Sequence, residues 1–133
     1  AARQVDPSLV IVVLAGSAFE KAAKNMGYPY AREVFADRGY DAAGRLVPRG
    51  LPGAVLTDAD VIAERVWLMV REGRVQAVTG EWLHVRADTV CIHGDAAGVI
   101  DIARRIHTTL TARGVNLLTL SRLIARRTGS AAK

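Results

Sequence analysis

Apolar residues follow two spacings in the first part of the chain, and each spacing predicts a different element. Residues 8–14 contain an apolar run rich in β-branched side chains, which is typical of a strand buried on both faces of a parallel sheet. Ser17 then precedes a helical pattern, and Glu20 completes a capping box three residues later. We predict a helix from Ser17 to about Gly27 and a second strand at residues 31–36. The apolar face of this helix is predicted to contain Ala18, Phe19, Ala22, Ala23 and Met26.

The rest of the chain repeats this alternation after one long loop. Glycine and proline are frequent at residues 37–53, where we predict a loop with a short hairpin that pairs Tyr40 with Val47. A helix is expected to begin within residues 57–60 and to end at Gly73. The later predicted elements are a hairpin of residues 75–78 and 82–85, a strand at 88–93, a helix from Ala96 to Gly114, a short strand at 115–118 and a basic helix at 121–127. The residues predicted to face inward from the two helices are Ile62, Val66, Met69 and Val70, then Val99, Ala103, Ile106 and Leu110.

This order of strands and helices predicts an α/β fold built from parallel βαβ units. No stretch is rich enough in Pro, Gly or Ser to separate two domains, so we expect one domain in residues 1–120 and a basic tail in residues 121–133. Four principal strands are few for a parallel sheet that is covered on both faces. Residues 1–5 have the pattern of the end of a helix, and we expect this chain to be part of a larger fold.

Composition and charge narrow the class of protein. The 133 residues are 50% hydrophobic and 23% charged, a balance typical of globular domains. The longest apolar run is too short for a membrane-spanning helix, and no basic segment precedes it as in a signal peptide. One cysteine permits no internal disulfide, so we expect a cytoplasmic location and no membrane partner. The net charge of +5 is concentrated in the last quarter and aromatic residues are only 5%, so we expect no nucleic-acid partner.

Polar residues are dense where the second predicted strand ends. Alternation along this strand places Glu33, Phe35 and Asp37 on one face. Two carboxylates so placed can divide acid and base roles, or hold a cation or an amide nitrogen. Arg38 can balance their charge or bind a substrate carboxylate or phosphate. Arg49, in the loop that follows, can lie over the same site. The structural alternative is a buried ion pair that fixes strand register, with Glu33 bound to an arginine of a neighbouring strand.

A second polar cluster follows the predicted strand at residues 88–93. His93 lies at the rim of that strand and can act as a general acid or base or as a metal ligand. Asp95 stands where the following helix needs an N-cap, and both this role and a role in the site are open. Gly94 permits a sharp turn between them. Cys91 lies inside the apolar strand and is interpreted as a small core residue rather than a nucleophile.

Other polar positions have ordinary structural explanations. Ser17 and the free amides of a helix start form a possible anion site, but helix capping is the commoner role of such a residue. His84 in a hairpin and His107 on a helix are expected to have surface or packing roles. The sequence contains no Gly-rich phosphate loop, Cys-x-x-Cys pair or Gly-x-Ser-x-Gly motif, so no motif predicts ATP or NAD binding.

Three ordered segments resemble the C-terminal signature segments of the LamB/YcsF family. They are Ala31-Arg-Glu-Val-Phe-Ala-Asp-Arg-Gly-Tyr40, Leu46-Val-Pro-Arg49 and Cys91-Ile-His-Gly-Asp95. The resemblance extends from about Pro7 to Leu118 and matches only the C-terminal half of the family. A long, ordered match of this kind is more specific than any single short motif.

The resemblance implies a seven-stranded β/α barrel, related to glycoside hydrolases and polysaccharide deacetylases, that is incomplete in this chain. It also implies the A subunit of a prokaryotic ATP-dependent 5-oxoprolinase, an enzyme that hydrolyses 5-oxo-L-proline to L-glutamate. ATP is then the implied cofactor, and separate 5-oxoprolinase subunits B and C are the implied partners. The residues carried over by motif are Glu33, Asp37, His93 and Asp95 as catalytic candidates and Arg38 and Arg49 as substrate-binding candidates, with no metal ligand.

Family members also carry an amino-terminal half with its own Asp, Glu and His motifs, including a Pro-His-Gly segment. None of these motifs occurs in this sequence. We therefore expect the isolated chain to be inactive, and to need the missing half or self-association to cover its open strand edges. Two other functions stay open, namely a non-catalytic interaction module and a metal-dependent deacetylase-like hydrolase.

Overall fold

The computed structural model describes residues 2–6, 8–95 and 98–129, which contain helices and short strands. None of the helices in these ranges is long and apolar enough to cross a membrane. The elements in chain order are α1 (Ala2–Val5), β1 (Ile11–Leu14), α2 (Ala18–Asn25), β2 (Tyr30–Phe35), α3 (Ala59–Trp67), a π-helical continuation of α3 (Leu68–Glu72), β3 (Arg74–Gln76), β4 (Trp82–His84), β5 (Thr89–Cys91), α4 (Val99–Ala112) and α5 (Leu120–Gly129).

The main sheet has the strand order β1-β2-β5, and both strand pairs are parallel. Ile11 pairs with Tyr30 between β1 and β2, and Phe35 pairs with Cys91 between β2 and β5. Helix α2 connects β1 to β2, so these elements form a βαβ unit. The predicted α/β class with a parallel sheet is confirmed. The seven-stranded barrel stays a prediction, as does the division at residue 120.

Several predicted element ends are confirmed by local hydrogen bonds. The Ser17 side chain accepts a hydrogen bond from the Glu20 amide and caps α2. The Asp58 side chain caps α3 by accepting from the amides of Asp60 and Val61. Gly73 ends the helical segment with a φ of 64°, a left-handed conformation that favours glycine. The predicted hairpin of β3 and β4 is also present, with antiparallel pairing throughout.

Helices α3 and α4 pack together and bury their apolar stripes. Ile62 and Val66 of α3 contact Ile102 and Ile106 of α4 in a cluster that also encloses Ala36, just after β2. Each fully buried aliphatic side chain of this size contributes about 1.5–3 kcal/mol to folding. The predicted inward positions confirmed as buried are Ile62, Val66, Met69, Ile106 and Leu110.

The predicted apolar face of α2 is largely wrong. Ala23 is buried, but Phe19 and Met26 are 55% and 62% exposed. The helix has only eight residues and meets the sheet along a narrow contact, in which Ala23 packs with Val13 and Tyr28. The other apolar residues of the pattern therefore point away from this contact.

Two predictions near α4 are also wrong. The helix begins at Val99, and its N-cap is Gly98, which has a φ of 75°. Asp95 therefore does not cap this helix. The predicted start at Ala96 lies outside the described residues. Residues 115–118 are not a strand but irregular chain. The Val115 amide donates to the Leu110 carbonyl at the end of α4, so the helix end uses the first amide of this segment. The basic helix predicted at 121–127 is confirmed within α5.

The loop between β2 and α3 folds back on itself beside the end of β2. The Gly39 amide donates to the Ala54 carbonyl, and Tyr40 pairs with Leu46, one residue from the predicted Val47. A Cβ atom added to Gly39 would lie 2.1 Å from the Gly53 carbonyl oxygen. The two chain segments therefore approach each other as closely as only a glycine allows.

We expect Gly39→Ala to destabilise the chain by about 1–3 kcal/mol, because the added methyl group must push the two loop segments apart. Gly50→Ala is the matched control in the same loop, since a Cβ at Gly50 meets nothing within 4 Å. Urea unfolding followed by circular dichroism measures both changes. Equal midpoints for the two variants would show that the loop does not have this close contact.

Candidate active site

The candidate site lies at the carboxyl ends of the adjacent parallel strands β2 and β5. Phe35 and Cys91 are the last matched pair of these strands, and the Ala36 amide continues the ladder by donating to the Cys91 carbonyl. Asp37 and His93 each follow this matched pair by two residues. Because parallel strands in register end at the same edge, the two side chains meet there.

His93 and Asp37 form the central contact of the site. The Nδ1 atom of His93 lies 2.9 Å from both carboxylate oxygens of Asp37, whose side chain is only 3% exposed. In the neutral tautomer that suits this contact, Nδ1–H donates to the carboxylate and Nε2 is left as an acceptor. The Phe35 ring stacks on the imidazole with centroids 5.5 Å apart. The pair therefore holds an oriented histidine that can accept or release a proton at Nε2.

Glu33 lies on the same face of β2 as Phe35 and is partly exposed. Within the described part of the chain, its carboxylate has no hydrogen bond or ion pair. The structural ion pair considered for Glu33 is made by its neighbour Arg32, which contacts Glu20 at 2.6 Å and Asp88 at 3.3 Å. Glu33 is thus available to a ligand on the face that carries the histidine pair.

Arg38 supports the long loop from within. Its side chain is buried, and its guanidinium donates to the carbonyls of Ala54 at 3.0 Å and Val47 at 2.6 Å. Val47 precedes Arg49 by two residues, so Arg38 fixes the part of the loop that carries Arg49. These contacts favour a role in holding the loop over direct contact with a substrate.

Arg49 and Asp95 meet at the outer rim of the site. Their nearest charged atoms are 3.6 Å apart, and the side chains are 54% and 70% exposed. A pair this exposed is worth little, about 0–1 kcal/mol, so a ligand can displace it readily. The contact nevertheless brings the loop after β2 next to the turn after β5. The two predicted clusters therefore form one site.

Sequence reasoning missed two residues beside this site, Tyr40 and Arg65. The Tyr40 hydroxyl accepts a hydrogen bond from the Phe35 amide at 2.9 Å, and Arg65 donates to the Ala36 carbonyl at 3.1 Å. The guanidinium of Arg65 lies over the Tyr40 ring, 5.3 Å from its centroid. Arg65 falls on the inward stripe of α3, between the buried Ile62 and Met69. A charged residue on a buried helix face was the available signal.

The surroundings of Cys91 disfavour its thiolate form. Burial raises the pKa of Cys91, and the negative charges of Glu33 and Asp37 raise it further. A raised pKa leaves less thiolate near neutral pH, which disfavours a role as nucleophile. The side chain is half-buried and is not part of the buried core, so the interpretation as a core residue holds only in part.

The remaining polar candidates lie outside this site. Ser17 caps α2, while His84 on β4 and His107 on α4 are exposed. In the described ranges, no group of three His, Cys, Asp or Glu side chains has an arrangement that could hold a metal ion.

Comparison with known proteins identifies similar sequences over nearly the whole chain. The LamB/YcsF family profile matches residues 1–125. A protein from Rhodopseudomonas palustris, named as the A subunit of 5-oxoprolinase, is 51% identical over 117 residues, which cover 88% of this chain and 46% of that protein. A protein of the same name from Thermococcus onnurineus is 45% identical over 119 residues, which cover 90% of this chain and 47% of that protein.

A solved structure is similar in fold as well as in sequence. The crystal structure of a lactam utilization protein from Thermus thermophilus aligns with a TM-score of 0.80 and 38% sequence identity. The alignment covers 87% of this chain and 46% of that protein. The chain therefore spans about half the length of the curated relatives and of the solved structure that it matches.

We expect Glu33→Gln to increase the alkylation rate of Cys91 at pH 8, since the thiolate is the form that reacts. Removal of the Glu33 charge lowers the raised pKa of Cys91, so more thiolate is present at a given pH. The measurement is the rate of iodoacetamide labelling between pH 7 and 10. Glu64→Gln, an exposed change on α3, is the control and should leave the rate unchanged. An unchanged labelling rate in Glu33→Gln would contradict the placement of Glu33 and Cys91 on the same face of the sheet.

Proposed function

Because the chain belongs to the LamB/YcsF family, we propose that it carries part of the hydrolytic site in the A subunit of a 5-oxoprolinase. The reaction would open the lactam ring of 5-oxo-L-proline with water and release L-glutamate. The observation that carries this proposal is the contact between His93 and the buried Asp37, beside Glu33. The names of the relatives, which contain the terms 5-oxoprolinase and lactam utilization protein, support the same class of substrate.

Opening a lactam requires two proton transfers that an oriented histidine can perform. Water must lose a proton as it attacks the ring carbonyl, and the ring nitrogen must gain a proton as the carbon–nitrogen bond breaks. His93 would accept the first proton at Nε2 and return it to the nitrogen. Asp37 would hold the ring through Nδ1 and stabilise the imidazolium that forms between the two steps.

The other carboxylates and the arginines would bind and orient the substrate. Glu33 would accept a hydrogen bond from the ring N–H or from the attacking water, since its carboxylate lies on the face that carries His93. Arg49 would exchange its weak partner Asp95 for the carboxylate of 5-oxoproline, in a paired geometry that suits an arginine. Arg38 would act through the loop, by holding the segment that carries Arg49.

The complete enzyme would need more than this chain. The proposal includes the rest of the A subunit, which would complete a seven-stranded barrel, and subunits B and C as partners. ATP would drive the reaction, and in the absence of a nucleotide motif we assign its binding to other parts of the assembly. The relatives support this arrangement because each is named as one subunit of an enzyme, and because this chain covers about half of each.

We expect His93→Asn to lower the rate of ATP-dependent glutamate release by about 10²–10⁴-fold, the usual contribution of a general acid or base. The assay combines this chain with an amino-terminal half of the A subunit, together with subunits B and C. His84→Asn is the matched control, because His84 is exposed on β4 and should leave the rate unchanged. Normal glutamate release by a folded His93→Asn assembly would contradict the proposal and would favour a non-catalytic interaction module.

A further inference from the structure

We propose that Arg65 is a positioning residue of this site, which holds the turn after β2 so that Asp37 stays against His93. Only the expected effect of Arg65 on catalysis rests on the proposed function. The contacts of Arg65 are part of the fold and do not depend on that function. Arg65 comes from α3, a helix that contributes none of the candidate catalytic or substrate-binding residues. Its role would link the packing of this helix to the geometry of the histidine pair.

The main-chain contacts of Arg65 end one residue before Asp37. Its Nη1 atom donates to the Ala36 carbonyl at 3.1 Å and makes a longer contact of 3.5 Å with the Phe35 carbonyl. The Tyr40 hydroxyl accepts from the Phe35 amide at 2.9 Å. Two side chains therefore bind the main chain at residues 35 and 36, directly before Asp37.

These contacts replace a sheet ladder that has ended. The amide and carbonyl of Glu33 and of Phe35 point toward β1, because alternate residues of a strand direct these groups to the same side. The Glu33 carbonyl still accepts from the Ala15 amide, one residue beyond the end of β1. At Phe35 no β1 residue remains to pair, and Tyr40 and Arg65 bind its amide and carbonyl instead.

A charged residue in this position needs an explanation. The hydrogen bonds of the Arg65 guanidinium go to neutral carbonyls. Burial lowers the pKa of Arg65, while the nearby negative charge of Asp37 opposes that shift. Burying a charge without a hydrogen-bonded carboxylate is costly, and sites that tolerate such a cost are often functional.

The direct test is nuclear magnetic resonance of the imidazole in this chain. We expect the unsubstituted chain to show a downfield, slowly exchanging Nδ1–H proton from His93, assigned by its absence in His93→Asn. Arg65→Met should lose this signal or broaden it, and Tyr40→Phe, which removes only the hydroxyl, should weaken it. Arg113→Met is the matched control, since Arg113 also lies over an aromatic ring, that of Trp67, at 4.8 Å, but outside the site. A sharp, unshifted signal in a folded Arg65→Met chain would overturn the proposal.

Kinetics of the assembled enzyme give a second, separate result. Arg65→Met should lower kcat by about 10–100-fold with KM nearly unchanged, because Arg65 orients a catalytic group and does not touch substrate. Arg65→Lys should restore part of the rate, since an ammonium keeps one hydrogen bond and the charge. An equal loss in Arg113→Met would mean that general destabilisation is responsible and would overturn the positioning role. If the unsubstituted assembly has no activity while Arg65→Met still loses the imidazole signal, the proposed function fails and the positioning role stands.

Discussion

The site depends on the register between β2 and β5, and Arg32 and Asp88 help to fix that register where β5 begins. The Arg32 amide donates to the Asp88 carboxylate, the Asp88 amide donates to the Arg32 carbonyl, and their charged groups form a mostly buried ion pair. A slip of one residue would turn every side chain of a strand to the opposite face. It would separate Asp37 from His93 and bury Glu33 where Val34 now packs. A structural ion pair on one face of the sheet therefore helps to align the residues of the site on the other face.

Features that depend on local sequence could be predicted. Alternation along β2 was sufficient to place Glu33 and Asp37 on one face, because the side-chain direction in a strand repeats every two residues. The Ser17 cap and the end of a helix at Gly73 follow from hydrogen bonds within a few residues. The contact of Asp37 with His93, 56 residues apart, was not predicted, because it depends on which strands lie side by side in the sheet.

Features that depend on contacts between distant segments could not be predicted in this way. Residue type alone gives Arg38 and Arg65 the same charge, but one binds a loop and the other binds the end of β2. The strand predicted at residues 115–118 is wrong, because the chain there is irregular and its first amide, that of Val115, binds the Leu110 carbonyl at the end of α4. In each case the sequence shows which residues are apolar or charged, but their partners depend on how distant segments pack. A single sequence does not contain that information.

The central claim is that Asp37 and His93 act as one unit, and a double-mutant cycle on glutamate release tests it most directly. The rates to compare are those of Asp37→Asn, His93→Asn and the double variant in the assembled enzyme. Because Asp37 acts only through the imidazole in this account, the double variant should be about as slow as the slower single variant. If the two losses multiply instead, the residues act independently and the account is contradicted.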